Sequence, residues 1–338
     1  MVLLVFLNFL PYLKGLSLTP TWSVFLGTVF YSTDYLYYLT FMAQGDTHWF
    51  LSSYLQTAEI YPQSMIGWIY IVLGKLFYIL HISHIIGFQI AIVTFSFLFL
   101  FLSYKVLHTV FSRNKVKAFV AFILFTTANS LPILVHTKGA WSIDVYHPWY
   151  NWGQPFTRFS NIPHHLIIQC AILSLCLLFF AWLQIKQTTI TKKVMLYIVG
   201  FFVVGFILGS LQPIQLAIGL ISIGIIQMLR IRGKRGGEII WMGIPLIAVV
   251  LGAVGPMVHL QQTLSIPVFS LAAAWEGSQH MPNSIEEFIR LHGFIVITGI
   301  IGVIFSWKKQ GLLGRLLFII SCISLLFFLS TIPQSHHK

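Results

Sequence analysis

Residues 66–83 read IGWIYIVLGKLFYILHIS, an apolar run with a single cation, Lys75, near its centre. As one helix the run would approach the roughly 30 Å of bilayer hydrocarbon. A charge at the bilayer centre, however, costs about 2.5–3.5 kcal/mol on insertion scales. Gly74 interrupts the run, and Pro62 and His81 bound it. We therefore read it as a re-entrant or interface-lying helix that does not cross. The choice sets the sidedness of everything before it, and the composition shows why sidedness matters.

The chain has 338 residues, 57% hydrophobic and 8% charged, with a mean hydropathy of +0.85. Soluble domains carry about a quarter charged residues, so this is no soluble globular domain. Apolar runs of about 17–24 residues recur, the length needed to cross hydrocarbon as helix. They are continuous rather than alternating, which excludes a β-barrel. The predicted class is all-α, a polytopic transmembrane bundle forming one domain over 1–338. Candidate spans are 1–18, 85–104, 118–135, 163–184, 194–211, 213–229, 239–259, 291–307 and 315–333. Residues 1–13 lack a basic n-region and a small-residue cleavage site, so they read as a first span over a signal peptide.

The net charge of +12 does not signal nucleic acid, because the cations sit in short linkers. Lys105, Arg113, Lys115 and Lys117 form one group, and Lys186, Lys192 and Lys193 a second. Arg230, Arg232, Lys234 and Arg235 form a third, and Lys308, Lys309 and Arg315 a fourth. Together they hold 14 of the 20 Lys and Arg. Alternation from residue 85 puts all four on one face, which the positive-inside rule makes cytoplasmic. With 66–83 not crossing, loops 19–84 and 136–162 lie on the other, external face of a multi-pass plasma-membrane protein. Cys170, Cys176 and Cys322 all fall in apolar runs and read as small core residues.

Only eight residues are acidic, and several gather in those two loops. In 31–50, YSTDYLYYLTFMAQGDTHWF, Asp34 stands among aromatic residues. Glu59 follows in the same loop, and Asp144 with His147 and Arg158 occupies the second, just ahead of His164 and His165. The order is a first span, Asp34-Tyr35-Leu36-Tyr37-Tyr38, a Gln44-Gly45 pair, a Thr57-to-Pro62 stretch and a short apolar helix. This resembles the N-terminal part of the GT-C class of membrane glycosyltransferases, over roughly residues 1–185, with 186–338 adding further helices. The resemblance implies interfacial helices in the first external loop and a first-loop acid matching Asp34. It also implies a polyprenyl-phosphate-linked sugar as donor and a hexosyl- or mannosyltransferase-like activity. The chain has no Asp-Glu pair at Asp34, no Asp-x-Asp at Asp144 and no Trp-Trp-Asp motif.

Transfer from such a donor needs a base within reach of the acceptor hydroxyl and donor groups on the departing phosphate. Asp34 is the candidate base, with Glu59 and Asp144 as secondary acids. Arg158 is the candidate phosphate ligand because its planar fork fits phosphate oxygens, with His164, His165 and His147 beside it. Tyr35 and its aromatic neighbours offer faces for a sugar ring. Each residue also has a plainer role: a solvated loop acid, a helix cap, or an arginine snorkelling to the interface. No cofactor is predicted; the alternative left open is a divalent metal with Glu59 and Asp144 as its ligands. His164 and His165 are adjacent and point about 100° apart on a helix, a poor pair of metal ligands. His81 and His84 share a face but lack a nearby carboxylate, and Gly233–Gly237 follow no strand, unlike a phosphate loop. In the third external loop, about 260–290, Glu276 stands in AAAWEG, and Ser284 caps a helix start carrying Glu286 and Glu287.

Membrane lipid is the other expected partner. The competing readings are a transporter, a histidine-dependent membrane acyltransferase, and a non-catalytic or truncated chain. A transporter would want ionisable groups near mid-membrane and an internal repeat, and neither stands out. The end at Ser335–Lys338, directly after a span, keeps the truncated reading open.

Overall fold

The structure is a computed structural model. It describes residues 1–28, 32–55, 58, 61–111, 114–127, 132–137, 140–145, 162–185, 191–231, 236–278, 315, 318–320 and 322–323. The helices are α1 (Val2–Leu18), α2 (Ser32–Gln44), α3 (Trp68–Ile79), α4 (His84–Val110) and α5 (Lys115–Thr127). After a two-stranded hairpin come α6 (Pro163–Leu183), α7 (Lys192–Leu211), α8 (Pro213–Ile231), α9 (Gly236–Leu264) and α10 (Pro267–Ser278). Five of them, α4 and α6–α9, are long and apolar enough to cross a membrane. The helical class therefore holds, and five of the nine candidate spans coincide with these helices. The candidate span 291–307 lies outside the described residues, as does most of 315–333.

Two segments differ from expectation. The span expected at 118–135 is a helix only to Thr127, and strand β1 (Pro132–Thr137) then pairs antiparallel with β2 (Ala140–Val145), Ile133 opposite Asp144. Thr126 turns its hydroxyl back onto the Phe122 and Ile123 carbonyls, and Pro132 cannot continue a helix. The hairpin also claims the first part of loop 136–162, which had been given no regular structure. The second is α2, a regular helix of 13 residues: helices were expected within the first loop, but not with these bounds.

Neighbour contacts fix the direction of each long helix. Cys170 Sγ lies 3.8 Å from the Phe95 carbonyl while His164 lies beside Tyr70 and Tyr70 beside Phe88, so α4 and α6 run parallel. On α7, Gly205 abuts Val249 and Gly209 abuts Ala253, so α7 and α9 also run parallel. Lys105, Lys115, Lys117, Lys192, Lys193 and Arg230 then fall at one end of the bundle, the basic end. There Trp182 stacks on Trp241 at 4.8 Å, and the Gln227 amide donates to the Met242 carbonyl at 2.6 Å. The described parts of loop 19–84, with the start of α6, belong to the opposite, loop end.

The 12-residue helix α3 rises about 18 Å at 1.5 Å per residue. It lies across the loop end rather than alongside the long helices, because it touches α4, α6 and α7 only near their loop-end termini. Trp68 Nε1 donates to Ser210 Oγ at 3.1 Å, next to the last residue of α7. Tyr70 meets His164 at the start of α6, and Phe77 packs on Gly87 in the first turn of α4. Just before α3, the Met65 amide donates to His259 Nε2 near the end of α9, at 3.0 Å. Helix α2 crosses α3 with their backbones in contact: a side chain at Gly45 would meet the Ile71 carbonyl, and one at Gly74 the Met42 carbonyl.

Lys75, the residue on which the sequence reading turned, is 9% exposed. Its ammonium donates to the Asp46 carbonyl at 2.7 Å and lies 5.2 Å from the Trp49 ring centre and 5.5 Å from that of Tyr78. Among the described residues, the ammonium is held by one carbonyl and two ring faces without a counter-ion in contact.

In the bundle, Gly205 and Gly209 are the small residues of a four-residue spacing that lets backbones approach. A Cβ at Gly205 would run into the Val249 carbonyl, and one at Gly252 into that of Phe202. Gly205→Leu is expected to lower the thermal midpoint in detergent, since overpacking costs about 1–3 kcal/mol. Gly224→Leu, where nothing lies within 4 Å, should leave the midpoint nearly unchanged.

Candidate functional site at the loop end

Asp34 sits in the first turn of α2, partly exposed. Among the described residues its carboxylate has no hydrogen bond and no ion pair. Burial raises its pKa above the usual carboxylate value. Residues four apart share a helix face about 5–6 Å apart, so Tyr38 is the next side chain along from Asp34. The Tyr38 ring stacks on Tyr70 at 4.5 Å and meets the His164 ring edge-on at 5.4 Å. Asp34 and His164, far apart in sequence, thus lie at the two margins of one aromatic layer.

The layer is pinned by Tyr70, which is 2% exposed and bonds through its hydroxyl to His164 Nδ1 at 2.7 Å. No other described group bonds that hydroxyl. If it accepted from the ring, its own proton would be buried without a partner, which costs about 1–3 kcal/mol. The hydroxyl therefore donates, and Nε2 carries the imidazole proton. Burial, and Tyr38 next to it, hold the phenol well above its ordinary pKa, so it keeps the proton this bond requires. His165 lies against His164, ring centres 4.2 Å apart.

Tyr35 is buried behind this layer, sharing Phe88 with Tyr70. It is 4% exposed and edge-on to Phe88 at 4.8 Å, a core residue and not an open face for a sugar. Burial pushes its phenol up to about 12. Among the described residues its hydroxyl meets no partner with hydrogen-bond geometry, although the Gln89 amide, which donates to the Gly27 carbonyl at 2.6 Å, lies near it. Gly27 has φ +92°, and a Cβ there would meet Tyr35 Oη, so this turn requires glycine.

Of the other candidates, Asp144 is placed by its backbone alone, in β2 opposite Ile133. Glu59, His147 and Arg158 lie outside the described residues, as do Ser284, Glu286 and Glu287. Among the described residues, the α2–α3 pair and the start of α6 meet through Tyr38, Tyr70 and His164.

A polar group missed from the sequence lies beside Lys75. His84 Nε2 is 3.1 Å from Asp46 Oδ1, with both side chains partly exposed. His48 bonds Thr47 Oγ1 at 2.7 Å and Gln63 Nε2 at 2.9 Å. The signal for this group was Gly45-Asp46 closing α2 and a histidine opening a span, but nothing in the spacing joined them. Among the described residues no three His, Cys, Asp or Glu side chains gather closely enough to hold a metal ion. The chain matches no protein-family model, no curated protein and no solved structure.

Two outcomes follow. Tyr70→Phe should destabilise the chain by about 1–3 kcal/mol by orphaning His164 Nδ1, read as a lowered urea or thermal midpoint. For Asp34, the folded chain holds the carboxyl proton more tightly than the unfolded chain does. The stabilisation is present below the unfolded carboxylate pKa and is lost as pH rises through the raised value. Asp34→Asn should therefore raise the thermal midpoint at about pH 7 and leave it unchanged at about pH 3, where both side chains are neutral.

Proposed function

We propose that this chain is an integral-membrane glycosyltransferase that moves a sugar from a polyprenyl-phosphate carrier to an acceptor hydroxyl on the extracytoplasmic face. The observation that carries the reading is the placement of Asp34: partly buried, without a described partner, and one helical turn from the aromatic layer that ends on His164. Basic linkers at the opposite end support an external loop end, and the end-on placement of α3 supports an interfacial helix in the first loop.

In this mechanism the carrier's chain stays in the bilayer and its phosphosugar head enters beside α2. Asp34 takes the proton of the acceptor hydroxyl, whose oxygen attacks C1 of the sugar. The C1–O bond to phosphate breaks, and its electron pair leaves with the phosphate. A carboxylate with a raised pKa is a stronger base, which suits the step. His164, its Nδ1 occupied by Tyr70, presents Nε2–H as a donor to the departing phosphate, a role it is assigned together with Arg158. Glu59 and Asp144 are assigned to positioning the acceptor.

The test is incubation of the chain in proteoliposomes with a panel of radiolabelled polyprenyl-phosphate sugars. Asp34→Asn is expected to reduce transfer about 10²–10⁴-fold while keeping a folded chain at least as stable as wild type. Undiminished transfer would remove Asp34 as base, and no transfer by wild type with any donor would favour a non-catalytic role or transport.

A further inference from the structure

The solvent-facing side of α4 is a single stripe. Ile86, Ile90, Thr94, Leu98 and Phe101 are exposed at four- and three-residue spacing, and the row ends on exposed Lys105, whose ammonium lies 5.3 Å over the Phe101 ring. Residues so spaced share one helix face. From Lys105 back to His84 the helix rises about 31 Å, against about 30 Å for bilayer hydrocarbon. The stripe thus has the length of a lipid-facing surface, with a cation marking its lower limit.

Three chain segments converge on the first two turns of α4, where the stripe stops. The turn at Gly27 is bonded to Gln89, Asp46 is paired with His84, and Phe77 packs on Gly87. Each segment carries large exposed side chains just beside its contact. Trp22 is 85% exposed and Trp49 70%, and Leu76, Ile79 and Leu80 line the open side of α3. In water this would be an unfavourable apolar surface. Indole rings favour the boundary between headgroups and acyl chains, where the ring is buried and the N–H stays wet.

We propose that Trp22, Trp49 and the Leu76–Leu80 side of α3 form a collar seated in the headgroup–acyl boundary of the leaflet at the loop end, with lipid as its occupant. The collar's segments are joined to the end of the α4 stripe through the Gly27–Gln89, Asp46–His84 and Phe77–Gly87 contacts. It fixes the plane of α2 and α3, and it does not depend on the glycosyltransferase reading.

The test places the full chain in nanodiscs of phosphatidylcholine brominated either near the headgroup or near the chain ends. Wild type is compared with Trp22→Phe and Trp49→Phe. Both rings are largely exposed, and phenylalanine keeps an aromatic face over Lys75. The fluorescence lost in each variant is expected to be the part quenched at least about twofold more by shallow than by deep bromine, and little by aqueous iodide. Quenching by iodide alone would put the collar in water. Quenching by neither would mean that protein, a second copy or a partner, covers it. Preferential quenching by deep bromine would place it inside the hydrocarbon. Each of these results overturns the proposal.

Discussion

A lysine ammonium cannot be left bare among apolar side chains, and the loop end of this molecule is arranged around meeting that requirement. Lys75 projects from α3 toward the turn that follows α2, takes the Asp46 carbonyl, and is covered by the rings of Trp49 and Tyr78. A carbonyl has only partial charge, so the rings supply the rest of the stabilisation. The geometry requires the 46–49 turn to lie directly over α3. That turn also brings Asp46 to His84, which ties both short helices to the start of α4. A cation that would be costly inside a crossing helix is thus met at the end of the bundle by groups that only a turn can offer.

The histidines at the loop end have a similar structural use. His84, His164 and His259 each stand within a few residues of the loop-end terminus of a long helix, and each meets a different part of the first loop: Asp46, Tyr70 and the Met65 amide. Imidazole can accept or donate at either nitrogen, so it suits a junction where backbone and side-chain partners both occur. The long helices supply the lateral packing through small residues such as Gly205 and Gly252, and the histidines supply the vertical attachment.

The long helices were legible because a run of about 20 apolar residues has few alternatives to helix; three have the predicted limits to within two residues, while α4 and α9 run on past the predicted ends to Val110 and Leu264. The reading of 66–83 as non-crossing rested on Lys75 and Gly74, yet nothing in the sequence said which groups would satisfy the ammonium. The hairpin at 132–145 escaped notice because Ile133, Leu134 and Val135 read as the tail of an apolar span, and only Pro132 argued otherwise. In the candidate site, Asp34 was visible as a scarce acid, but its link to His164 runs through Tyr38 and Tyr70. Those tyrosines were two among thirteen, and their pairing depends on how α2 crosses α3. Tyr35 shows the converse: adjacent to Asp34 and aromatic, it looked like part of a binding face, but a helix turns neighbouring residues about 100° apart.

The crossing of α2 over α3 at Gly45 and Gly74 places main chain against main chain, with no side chain between to act as a bearing. Such a joint has no rotamers through which it can yield. The two short helices must tilt or shift together, as a single stiff plate. A displacement imposed at the Met65–His259 edge would then be carried undiminished to the far corner, where the carboxylate of Asp34 stands.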